Sequence, residues 1–168
     1  MLTSHEIIGF MSPSLGIEIL GWAYEKEKPV YKATLGAVAE ARHVRSVFLQ
    51  RQPRAQRHAG MMETLSKPRL EMAASTLLRT WLLKEKKGLL VDFLSALGIE
   101  HEDGVVDELP ESVEESKLKA SIDQILEKYP GEVVAVYLNA FSGMNETNWP
   151  ALKTMLESDT RLQLGEAG

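Results

Sequence analysis

The chain has 168 residues, of which 44% are hydrophobic and 26% charged, with a formal net charge of −5 and no cysteine. That length and balance suit one domain with a real core and argue against disorder of the whole chain. A chain without cysteine makes no disulfide, has no thiol chemistry and offers no thiolate to a metal.

The opening MLTSHEIIGFMSPSLG lacks the cationic start and long apolar run of a signal peptide. No run of about 18 apolar residues is present to span a membrane. The expectation is a soluble, cytoplasmic protein with no membrane segment.

Nearly every segment carries helical periodicity. TSHEIIGFM pairs Thr3 with Glu6, the spacing of a capping box, ahead of Ile7, Ile8, Phe10 and Met11. The next helix has Ser12 as N-cap and Pro13 at its first position, with Leu15, Ile19, Leu20 and Ala23 as its buried stripe. A long helix is predicted from Pro29, its face built from Val30, Ala37, Ala41, Val44 and Phe48, until Pro53 ends or kinks it. Helical pattern resumes after Gly60, and Pro68 with Ser66 as cap starts a helix whose inner face is Leu70, Ala73, Leu77, Leu78 and Trp81.

Gly88 is expected to break that helix, and LLVDFLSALG forms a short apolar one closed by Gly98. Residues 99–111 read as an acidic loop between two sub-bundles, with a turn at Asp103-Gly104. Ser112 and Glu115 have capping-box spacing before a helix facing inward through Leu118, Ile122, Ile125, Leu126 and Tyr129. Residues 132–141 contain VVAVY, a strand-like run, but helical spacing fits better and a lone strand has no partner. Asn148 opens a last helix with Trp149, Leu152 and Leu156 inward, and residues 162–168 are expected to fray. The expected fold is all-α, a single-domain bundle of about seven or eight helices without internal repeats.

RHVRSVFLQRQPRAQRHAG, residues 42–60, holds five arginines and no acid. Residues 1–90 carry 14 Lys and Arg against 8 Asp and Glu, and residues 91–168 carry 5 against 16, so the two halves differ in charge by +6 against −11. Arg42, Arg45, Arg51, Arg54 and Arg57 are the candidate anion-binding residues. Arg42 and Arg45 fall on the flank of the apolar face beside Tyr31, Leu35 and Val38. There a guanidinium seeks a carboxylate, expected from beyond Asp92 in this chain or a second copy. Nucleic-acid binding would require aromatics interleaved with the arginines, and the block offers only Phe48, on the face predicted to be buried.

Other chemistry finds little anchor. Glu40 and His43 have the i, i+3 spacing of di-iron carboxylate bundles, but one such motif facing away from the core reads as a surface pair. His101, Glu102 and Asp103 are weak metal candidates in a loop that fails the EF-hand pattern. No nucleophile elbow, phosphate loop or dinucleotide fingerprint occurs, and Trp22, Trp81, Trp149 and seven methionines read as core. No cofactor is expected. The resulting expectation is a non-catalytic interaction or scaffolding module whose partner is another protein or itself, as a homodimer. Nucleic-acid binding through residues 42–57 is the alternative, and a helical enzyme or small-anion binder is the third.

Overall fold

The computed structural model describes residues 2–144 and 149–164. Among these there are ten α-helices, two 3-10 turns and no strand, so the chain is all-α. In chain order the helices are α1 (Ser4–Phe10), α2 (Pro13–Lys26), α3 (Lys28–Ala41), α4 (Ser46–Gln50), α5 (Arg54–Leu65), α6 (Glu71–Lys84), α7 (Lys87–Ala96), α8 (Glu115–Lys128), α9 (Gly131–Met144) and α10 (Pro150–Ser158). The 3-10 turns are Pro68–Leu70 and Thr160–Leu162. The helices group into two compact units, residues 3–81 and 82–164.

In the first unit, α2 packs on α3 and α5, and α1 packs on α5. The capping signals at its start are used. Glu6 accepts from the backbone N–H of Thr3 at 3.2 Å, and Ser12 accepts from the N–H of Leu15 at 3.2 Å with Pro13 following. Glu71 adds a cap from far along the chain, accepting from the N–H groups of Ser4 at 2.7 Å and His5 at 2.9 Å. Burial works against this carboxylate, but the His5 and Ser4 hydrogen bonds prevail and hold its pKa below the ordinary value.

The long helix predicted from Pro29 ends at Ala41, twelve residues before Pro53. His43 takes the left-handed conformation at φ 57°, its N–H donates to the Glu40 carbonyl and that of Val44 to the Ala39 carbonyl. This is a Schellman end with histidine where glycine is usual, so composition gives no sign of it. The buried stripe of α3 is also displaced by one residue, roughly 100°. Tyr31, Thr34, Leu35, Val38 and Ala39 are buried, while Val30, Ala37 and Ala41 are half-buried and Val44 and Phe48 are exposed. The short α4 and then α5 follow, so Arg54 and Arg57 are helical and Gly60 lies within α5. These extra helices are why the count exceeds the seven or eight expected. Ser66 closes α5 rather than capping the next helix.

In the second unit α9 is buried on all sides, with every residue from Val133 to Ala140 inaccessible. The ambiguous run 132–141 is therefore helix. Around α9 lie α8, α10 and the turn Thr160–Leu162. Phe93, Tyr137, Phe141 and Trp149 meet edge-to-face or tilted, with centroids 5.2 to 5.9 Å apart. Gly88 lies inside α7 rather than ending α6, because the chain turns earlier, at residues 85–86. Gly98 does close α7, with φ 72°, and the Ile99 N–H donates to the Leu94 carbonyl. The box at Ser112 and Glu115 does not form, because α8 starts only at Glu115 with Glu114 as its N-cap.

The tail is not frayed through residue 164. Leu162 is fully buried, and its carbonyl accepts from the side-chain amide of Asn139 at 3.0 Å. Asn148 and residues 165–168, expected to cap α10 and to fray, lie outside the described residues. The acidic loop 99–111 lies within the second unit.

A left-handed histidine carries a steric cost that glycine avoids. Replacing the exposed His43 by glycine is expected to raise stability by about 0.5–1 kcal/mol in urea unfolding. A loss would show that the His43 side chain has a structural role.

Candidate functional site

The arginine block is the face on which chemistry concentrates, and the five arginines divide by environment. Arg42 sits at the end of α3, in line with its buried stripe. Its Nε donates to the Thr64 hydroxyl at 2.7 Å and an Nη donates to the Gly60 carbonyl, both on α5. Gly60 permits this approach, since a Cβ there would lie 3.1 Å from the guanidinium. The expectation that carboxylates beyond Asp92 hold Arg42 is thus corrected: its partners are uncharged oxygens of its own unit. The reason is geometric. The helix ends at Ala41, which leaves the guanidinium facing the carbonyl of a glycine on the neighbouring helix.

Arg57 is likewise committed, donating through Nε to the Tyr31 hydroxyl at 2.8 Å and through Nη1 to the Gln50 carbonyl at 3.1 Å. Arg54 lies over the Tyr24 ring, 4.7 Å from its centroid, and reaches Glu25 at 3.4 Å. Arg57 stands 5.7 Å from the same ring. Arg54 and Arg57 therefore converge on Tyr24. Arg45 and Arg51 are exposed at the two ends of α4, and among the described residues of this unit no carboxylate pairs with either. Arg45 thus has no acid partner within its own unit.

Beneath this surface lies a buried polar chain that periodicity does not reveal. Tyr31 on α3 bonds His58 Nε2 on α5 at 2.9 Å, and His58 is 1% exposed. The Tyr31 hydroxyl, which accepts from Arg57, satisfies all three groups by donating to a neutral His58. Burial first, and then the charges of Arg57 and Arg54, push the His58 pKa down to about 4. Burial raises the Tyr31 pKa against the pull of Arg57. Tyr24, Tyr31 and His58 are the residues that sequence reading missed. The one available signal was Arg54, Arg57 and His58 at i, i+3 and i+4, legible only once α5 is known to be helical.

The outer edge of the block is apolar as well as basic. Phe48 is 60% exposed, Val44 41% and Val47 40%. The face that should have covered Phe48 ended with α3, so the aromatic absent from the predicted surface is in fact on it.

Glu40 and His43 are both exposed, and the helix ends between them, so no helical i, i+3 pair exists. His101 builds its own loop. Its Nδ1 accepts from the Gly104 N–H at 3.1 Å and its Nε2 pairs with the Ser95 hydroxyl at 2.9 Å, while Glu102 and Asp103 point outward. Among the described residues no group of three or more His, Asp or Glu is placed to hold a metal, and no helix is long and apolar enough to cross a membrane. No protein-family model, curated protein or solved structure matches this chain.

Two outcomes test this description. Arg42→Ala is expected to cost about 1.5–3 kcal/mol, the range for charge-assisted bonds, whereas Arg54→Ala costs under about 1 kcal/mol, as an exposed contact does. Urea unfolding of the two variants decides it, and equal losses would contradict the assignment. The second outcome concerns pH. A histidine whose pKa falls from 6.5 unfolded to about 4 folded contributes stability above the unfolded value and loses it as pH falls toward the folded one. Stability should drop by about 2 kcal/mol between about pH 7 and pH 5, and His58→Gln should remove most of that dependence.

Proposed function

We propose that this chain is a non-catalytic helical interaction module that binds a protein partner, itself included, through the turn Val44–Arg51. The observation that carries the reading is the exposure of Phe48, at 60%, with Val47 on a five-residue helix and Val44 just before it, and an exposed arginine at each end. Exposed apolar side chains gathered on one short turn and rimmed by charge are typical of a binding face. The absence of catalysis is supported by the commitment of Arg42 and Arg57 to protein oxygens and by the burial of His58 away from solvent. We assign this role to the cytoplasm, in keeping with a chain that carries no cysteine.

Polyanion binding is the second reading. It is favoured by Tyr24, 39% exposed beneath Arg54 and Arg57, which supplies an aromatic ring next to cations. Photo-cross-linking separates the two. With p-benzoylphenylalanine in place of Phe48, the interaction reading expects protein adducts, identified by mass spectrometry, that disappear when Val44 and Val47 are changed to serine. Nucleic-acid adducts alone would shift the assignment to the second reading, and no adduct would remove the face as a binding site.

A further inference from the structure

The groove along the acidic loop of the second unit supplies a partner for that face. It is open, with a volume of about 1160 Å³, and is bordered by residues 97–117. Leu97, Ile99 and Leu109 give it apolar lining, and Glu100, Glu108 and Glu111 stand exposed along it. An enclosed space of about 150 Å³ already holds a benzene ring, so the groove has room for a phenyl side chain with arginine stems beside it.

The loop is held in shape rather than hanging free. Glu102 and Val105 exchange both backbone hydrogen bonds, at 2.9 and 3.0 Å, across a turn with Asp103 and Gly104 in the left-handed region. His101 fastens that turn to Ser95, and the Trp149 indole donates to the Pro110 carbonyl at 2.8 Å. A groove so braced is available to a partner without a large ordering cost.

We infer that this groove receives the Val44–Arg51 turn of a second copy of the chain, with Phe48 over the apolar lining and Arg45 and Arg51 toward the glutamates. The inference rests on the interaction reading above and names its occupant. Charge complementarity selects it. Residues 3–81 hold 11 Lys and Arg against 7 Asp and Glu, and residues 82–164 hold 8 against 16. The pattern is mirrored locally. VRSVFLQR sets apolar residues among arginines, and the groove sets apolar residues among acids. A nucleic acid would match the first surface but be repelled by the second, and it would leave Val44 and Val47 without an apolar counterpart. Opposed charges orient such an encounter, and the apolar anchor gives it affinity.

Sedimentation of the full chain over a wide concentration range tests the inference. At low salt the mean mass is expected to rise with concentration, and added salt should weaken the association. Phe48→Ser, the pair Arg45→Glu with Arg51→Glu, and the pair Glu108→Lys with Glu111→Lys should each weaken it by about tenfold or more. All these positions are exposed, so circular dichroism is expected to show unchanged helix content. Combining both charge reversals in one chain should restore association. With copies labelled by ¹⁴N and ¹⁵N, cross-links from position 48 should join differently labelled chains within residues 97–117. A monomer at every concentration, association indifferent to these variants, or cross-links confined to single chains would overturn the inference. If position 48 instead joins a different protein while the chain stays monomeric, the interaction face stands and the second copy is excluded as its occupant. If it joins nothing, both readings fall.

Discussion

The bridge from Arg42 to Gly60 and Thr64 is the contact on which the outer half of the first unit depends. It stands where the buried stripe of α3 runs out. There the helix stops at the left-handed His43, so Val44 and Phe48 do not turn inward as the periodicity predicts. The planar guanidinium reaches two acceptors of α5 at once, which a lysine ammonium is less suited to do. With α5 tied to the end of α3, the intervening residues form a turn, and α4 faces outward with its apolar side chains exposed. The same tie brings the start of α5 across α2 and α3, placing Arg54 and Arg57 at Tyr24 and His58 beneath Tyr31.

Arg42 also explains how a cation can be held without an acid. Its acceptors are a carbonyl and a hydroxyl, and those of Arg57 are a phenol and a carbonyl. Such bonds fix the side chain while leaving its charge uncompensated. The second unit behaves differently: Lys128 meets Asp92 at 2.7 Å, and Arg161 meets both Asp123 and Asp159. There three cations, Lys87 among them, pair with carboxylates, and exposed acids remain along the loop.

The features legible in the sequence were those set by local chemistry. Ser12 with Pro13, Gly98 at the end of α7, and the helical spacing of Val133, Val134, Tyr137 and Leu138 need only neighbours within a turn or two. The end of α3 did not show because His43 occupies a left-handed position that composition assigns to glycine or asparagine. The stripe of α3 was displaced because Tyr31 and Thr34 bury polar atoms. Tyr31 does so through Arg57 and His58, and Thr34 by bonding the Val30 carbonyl at 2.8 Å. The Glu71 cap on α1 and the Tyr24 contact with Arg54 join residues some 30 to 70 positions apart, and no periodicity records such pairs. Of the candidate site, the charge was visible, but which arginines were already occupied was not.

That division separates the roles of the remaining charges. Arg42 and Arg57 are bound inside the fold, so their charges act as fixed structure. Arg45 and Arg51 are exposed on either side of Phe48. Surface charge is screened over about 8–10 Å at ordinary salt, so these two act chiefly on whatever is already docking. They favour one orientation and disfavour cationic partners, while the desolvation of Phe48, Val44 and Val47 supplies the driving force. Affinity and orientation thus come from different residues on one turn. The separation exists because α3 ends early at the left-handed His43, with Arg42 tied to α5, which leaves three apolar side chains and two cations together outside the core face.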